Sequence, residues 1–107
     1  MAVAADRSFV EGAAGRIEVA ASHPVAPRMV AVIAHPHPLF GGTMDNKVVQ
    51  TLARACVQLG WRSVRFNFRG VGGSAGAWDD GVGEIDDALA VIAAVRAPGE
   101  ALLLAGF

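Results

Sequence analysis

Three short stretches of this chain hold residue types able to do chemistry. The first is His35-Pro36-His37-Pro38-Leu39-Phe40-Gly41-Gly42. Two imidazoles in a His-x-His pair at a strand end can bind a metal ion, but such a site needs further His, Asp or similar ligands. The remaining histidine, His23, lies in an upstream loop. The simpler reading is that both rings hold the loop by bonding to backbone, and no metal is assigned. The second stretch runs through Gly70, Gly72, Gly73, Ser74, Ala75 and Gly76. Gly70-x-Gly72-x-x-Ala75 loosely matches a dinucleotide-binding loop, which needs an acidic residue near the end of the next strand. That strand here ends Ala105-Gly106-Phe107. Gly72-Gly73-Ser74-Ala75-Gly76 also spells G-x-S-x-G, the mark of a nucleophilic serine on a strained turn between strand and helix. Ser74 falls several residues past the preceding strand, so the spacing predicts a flexible turn whose serine bonds locally. The third stretch, Leu102-Leu103-Leu104-Ala105-Gly106-Phe107, has the form of a buried strand opening onto glycine. Continued as Ser-x-Gly it would be a nucleophile elbow; otherwise it is any buried strand ending in glycine.

The elements that must position these residues follow from apolar periodicity. Residues 29–34 form an unbroken apolar run, suited to a strand covered on both faces. The prolines at 36 and 38 end it, because each removes an N–H and pushes the residue before it toward extended geometry. Gly41 and Gly42 permit a sharp turn, and Thr43 and Asp45 offer oxygens to cap a helix over residues 45–59. Val49, Leu52, Cys56 and Leu59 share one face of it, with Val48 and Ala53 alongside, and Gly60 stops it. Residues 63–68 alternate as a strand with Val64, Phe66 and Phe68 on one side. A second helix begins near Asp79 or Asp80, and Val82, Ile85, Leu89 and Ile92 step by three and four along its apolar face. Pro98-Gly99 ends it before a strand over residues 101–105. Ahead of all this, residues 8–10 and 16–20 read as an antiparallel hairpin. The order β-β-β-α-β-α-β predicts an α/β fold, a mostly parallel sheet with an antiparallel N-terminal hairpin.

Composition narrows the function classes. The 107 residues are 53% hydrophobic with a net charge of −1, which fits one small globular domain. No basic patch points to nucleic acid, and no apolar run approaches membrane length. The single cysteine, Cys56, excludes an intramolecular disulfide and fits a reducing, cytoplasmic setting. The first twelve residues lack the basic and apolar regions of a signal peptide.

Three segments taken together, HPHPLFGGTMDNKVV (residues 35–49), RFNFRGVGGSAG (65–76) and LLLAGF (102–107), resemble the α/β-hydrolase superfamily. The chain looks like a small, lid-poor bacterial branch of it, similar to dienelactone hydrolases and short-acyl esterases, with the resemblance covering residues 30–107. It implies a serine nucleophile just after the fifth strand. It also implies an oxyanion hole shared between the residue after that serine and the loop after the third strand. That loop is residues 35–40. A proline cannot donate, so the implied donors are the N–H groups of His37 and Leu39, with Phe40 third. Many relatives have His-Gly where this chain has His35-Pro36. The family's chain order, Ser, then Asp or Glu, then His, leaves His35 and His37 outside the role of base. No catalytic residue is therefore assigned within the chain. Gly106 and Phe107 mark the elbow strand end, and the nucleophile is expected just after Phe107.

The expectation is thus a single, apparently truncated domain, residues 1–107, forming the N-terminal part of a serine hydrolase. It would act on a small ester or acyl substrate without cofactor, metal, nucleic acid or membrane partner. Two rivals stand beside it: a non-catalytic association module, and a nucleotide-binding βαβ unit using Gly70 to Gly76. The strand at 101–105 lacks a covering helix after it, so self-association through that strand is expected.

Overall fold

A computed structural model describes residues 5–106. Strands β1 (Asp6–Gly12) and β2 (Gly15–Ser22) form a hairpin that turns on Ala13 and Ala14. Both strands run further than the sequence pattern indicates, because the ladder continues through polar, exposed positions such as Asp6 and Arg7. Then come β3 (Val30–Ile33), helix α1 (Lys47–Gln58), β4 (Arg62–Phe66), helix α2 (Val82–Val95) and β5 (Leu102–Ala105). A 3₁₀ turn, Pro38–Phe40, sits between β3 and α1. The sheet order is β1-β2-β4-β3-β5. β2 runs antiparallel to both β1 and β4, while β3 is parallel to β4 and β5. This is the α/β topology that the element order implies.

The sheet separates two cores by its alternation of side chains. Val30, Val32, Val64 and Phe66 join Ile17 and Val19 on the face that meets Val91 of α2. Ala31 and Ile33 point the other way, against Val49, Ala53 and Cys56 of α1. Val49 and Cys56 are buried as the periodicity indicates, with Ala53 beside them and Leu52 half-buried on the same core, whereas Leu59, read on that face, and Val48, read alongside it, are exposed. Its cap is Asn46, whose Oδ1 accepts the N–H groups of Val48 and Val49 at 2.8 and 3.3 Å. Asp45, the cap suggested by the sequence, instead takes Arg7 at 3.0 Å and Arg65 at 3.1 Å. Thr43 closes a local turn by accepting the Asp45 N–H.

Helix α2 corrects the sequence pattern most. Val82, Ile85 and Leu89, read as its core face, are exposed. The face turned inward carries Gly83, Glu84, Asp87 and Val91. Two carboxylates are buried there because each has partners. Glu84 accepts the N–H groups of Asp79 and Gly81 at 2.9 and 3.0 Å, capping the helix start. Asp87 holds Arg69, as described below. The helix starts at Val82 rather than at Asp79 or Asp80, after Asp80 and Gly81 adopt positive φ. The apolar run of β5 has the form of a buried strand and, as expected where no helix covers it, lies at the edge of the sheet with Leu103 and Leu104 exposed.

Among the described residues, no helix is long and apolar enough to cross a membrane.

Candidate active site

The carboxyl ends of β3, β4 and β5 lie side by side, since the three strands are parallel and adjacent. In open α/β sheets this end is where ligands bind. The loop after β3 continues directly beside β5: the Ala34 N–H donates to Ala105 O at 2.8 Å. Gly106 packs against Ala34, near enough that a Cβ there would meet the Ala34 Cβ at 3.3 Å. The loop after β3 and the strand end at Gly106 are therefore neighbours. Phe107 lies outside the described residues.

Both histidines of the loop serve its shape, as the simpler reading of the sequence holds. His35 is buried, and its Nδ1 lies 2.7 Å from Pro36 O. Its Nε2 accepts the Phe68 N–H at 3.1 Å. A nitrogen that accepts carries no proton, so His35 is the neutral Nδ1–H tautomer. Burial pushes its pKa below the usual value of 6.5, which keeps it neutral. The ring ties the exit of β3 to the exit of β4, and meets Phe68 edge-on at 4.8 Å. His37 uses the opposite nitrogen: its Nδ1 accepts the Leu39 N–H at 3.1 Å, capping the 3₁₀ turn.

The three implied oxyanion donors are thus in different states. The Leu39 N–H points at the His37 ring. The Phe40 N–H donates to His37 O at 3.1 Å, and so does the Gly42 N–H at 3.2 Å. Among the described residues, the His37 N–H alone of the three has no hydrogen-bond acceptor. Gly42 is the residue that lets the loop close this tightly, because a Cβ there would collide with Pro36 O.

The glycine-rich loop after β4 is far from flexible. As β4 ends, residues 73–75 take over its place beside β2. The Ala75 N–H donates to Arg16 O at 2.8 Å, and the Gly73 N–H to Glu18 Oε1 at 2.8 Å. Ser74 is only 7% exposed. Its hydroxyl donates to Asn67 O at 2.6 Å and accepts the Glu18 N–H at 2.9 Å. The structural role foreseen for this serine is present, but its hydroxyl bonds reach outside its own turn to Asn67 and Glu18, and these ties replace the expected flexibility. Asn67 adds a second tie, accepting the Met44 N–H at 2.8 Å and donating to Glu18 Oε1 at 2.8 Å.

Arg69 anchors the loop to α2. Its guanidinium forks onto Asp87, with Nη2 to Oδ1 at 2.9 Å and Nε to Oδ2 at 3.2 Å. Its own backbone N–H also donates to Asp87 Oδ2 at 2.9 Å, and Nη2 reaches Gly83 O at 2.8 Å. The hydrogen bond to Asp87 pushes the guanidinium pKa up. Gly83 leaves room for the guanidinium, which a Cβ would strike.

Sequence reasoning assigned no functional role to Glu18, Asn67, Asp87 or Trp78. Trp78 packs on the His37 ring at 4.6 Å, and Phe40 meets the same ring at 5.1 Å, so aromatic contacts join the two loops. An isolated tryptophan next to a glycine-rich loop was the available signal. Among the described residues, no three His, Cys, Asp or Glu side chains gather as a metal site.

The fold is shared with known proteins. An α/β serine hydrolase homologue from Coxiella burnetii superposes with a TM-score of 0.91 at 46% identity, over 95% of this chain and 51% of its own. A serine hydrolase from Xanthomonas campestris, described as lacking a lid, gives 0.88 at 43% identity over 96% and 50%. The chain belongs to the α/β-hydrolase superfamily. An uncharacterized protein of Rickettsia prowazekii is 47% identical over 87 residues, 78% of this chain and 36% of that protein. No protein-family model matches. The chain spans about half the length of the solved hydrolase homologues and corresponds to the N-terminal part of their fold.

Proposed function

We propose that this chain supplies the oxyanion loop of a serine hydrolase that acts on a small ester or acyl compound. The observation that carries this reading is the His37 N–H, a donor without an acceptor among the described residues, on a closed loop at the carboxyl end of β3. A serine following β5 would attack the substrate carbonyl, a histidine would take its proton, and backbone N–H groups would hold the developing oxyanion. The chain's own contribution is positional. His35 fixes the loop to β4, Gly42 lets it close, and the His37 ring occupies the Leu39 N–H so that the turn keeps its shape.

The test joins residues 1–106 to the C-terminal half of the Coxiella hydrolase homologue and follows ester hydrolysis. His37 has φ −50°, within the range of proline, so His37→Pro removes the N–H while keeping that residue's φ. His37→Ala removes the ring but keeps the N–H. The proline variant should lose about 10²- to 10³-fold in kcat relative to the alanine variant. Equal rates for the two would remove His37 from the oxyanion hole.

A second reading has its own support: the outer edge of β5 is unpaired in the sheet, and Leu103 and Leu104 are exposed there. This edge would associate with another strand. Sedimentation of the chain over a concentration series should show dimers, and a monomer at all concentrations would count against it.

A further inference from the structure

Around His37 the two rim loops expose more apolar surface than their own folding uses. Phe40 is 87% exposed and Leu39 64% exposed, although the 3₁₀ turn that carries them is firmly bonded. The Phe40 ring touches the His37 ring edge-on at 5.1 Å, and Trp78, from the other loop, lies on the same ring at 4.6 Å. The three rings form one continuous wall, and it starts at the residue that holds the unpaired N–H. We propose that this wall binds the aryl group of a neutral ester, placing the ester carbonyl toward the His37 N–H. The proposal rests on the hydrolase reading and adds a substrate class to it.

Two features decide the chemistry. Aromatic rings prefer edge-to-face and offset partners at about 4.5–7 Å, and a wall of rings already tilted to one another offers both. Charge decides against an acidic substrate. Asp79 and Asp80 follow Trp78 directly and are exposed. Arg69 lies 4.0 Å from Asp79 Oδ2 but is committed to the closer, buried Asp87. The field beside the wall is therefore negative, which disfavours a carboxylate on the ring.

The proposal is tested on the chain itself by two-dimensional amide NMR, titrating phenyl acetate, ethyl acetate and benzoate. Phenyl acetate should shift the amides of His37, Leu39 and Phe40 and the Trp78 indole N–H, at concentrations where ethyl acetate and benzoate leave them unmoved. Phe40→Ala, an exposed change that leaves the His37–Trp78 contact in place, should weaken phenyl acetate binding about two- to tenfold. Equal responses to the phenyl and ethyl esters would overturn the proposal. So would phenyl acetate shifts centred on the exposed Val82, Ile85 and Leu89 of α2, or unchanged affinity in Phe40→Ala. The titration needs no turnover, so its failure is distinct from failure of the His37→Pro comparison.

Discussion

Ser74 and His37 sit on the two loops that leave the sheet at its carboxyl end, after β4 and β3. Ser74 carries the letters of a nucleophile motif, yet its hydroxyl donates to Asn67 O and accepts the Glu18 N–H, and the loop around it is stitched to β2. His37 carries no catalytic motif in its own right. Its ring is spent on capping a turn, and its N–H is left over. A polar group fully consumed inside the fold has nothing to offer a substrate, whereas a donor held rigidly with no acceptor is poised for one. Hydrogen-bond accounting, rather than motif matching, separates the structural loop from the candidate functional one.

Substitutions can break that contrast at graded cost. The largest effect is expected for Asp87→Ala, which leaves the Arg69 guanidinium without its fork and its backbone N–H without an acceptor. Loss of one partner of a buried pair costs about 3–5 kcal/mol, a large share of the stability of a domain this small. Urea denaturation should show the variant largely unfolded; a shift under 1 kcal/mol (about fivefold) would mean the pair is not what fixes the glycine loop. Gly42→Ala comes next at about 2–3 kcal/mol, because the loop must open to admit a methyl group at Pro36 O. Its effect should appear as altered His37 and Phe40 amide shifts, while the Ser74 amide stays put. Movement at both loops would show that they are not separable.

Ser74→Ala should cost about 1–3 kcal/mol, since it strands the buried Asn67 carbonyl and the half-buried Glu18 N–H. Thermal melts would report it. A neutral result would argue that Ser74 is not a structural tie. The smallest effect concerns pH. His35 has a folded pKa below its unfolded value of 6.5, so the unfolded chain binds more protons between the two. Stability should be full above about pH 6.5 and decline as pH falls toward the folded pKa, levelling off below it. His35→Gln should flatten that decline. A profile unchanged by the substitution would show that the buried His35 is not the group behind the decline.

The strands and α1 were legible because their apolar residues alternate or step regularly, and the topology followed from element order. The inward face of α2 was not, because burial there depends on long-range partners. Asp87 is interior only since Arg69, 18 residues away, meets it, and hydrophobic periodicity therefore chose the exposed stripe Val82, Ile85 and Leu89. The site divided in the same way. Prolines and glycines in residues 35–42 announced a turn at a strand end, and the proline rule narrowed the donors to His37, Leu39 and Phe40. Which of these keeps a spare N–H depends on the 3₁₀ turn and on the side of the His37 ring that faces Leu39, neither of which is written in residue type. The rigidity of the 70–76 loop was hidden likewise, since it comes from Glu18 and Asn67, which have no local reason to be there.

Fluorophosphonate labelling tests most directly whether the motif serine is structural. Residues 5–106 place no activating base on the Ser74 hydroxyl, whose bonds go to backbone groups. The chain should remain unlabelled, and label should appear when it is joined to the C-terminal half of the Coxiella homologue and persist there in Ser74→Ala. Labelling of the chain alone that vanishes in Ser74→Ala would contradict the account and make the glycine-rich loop the seat of catalysis.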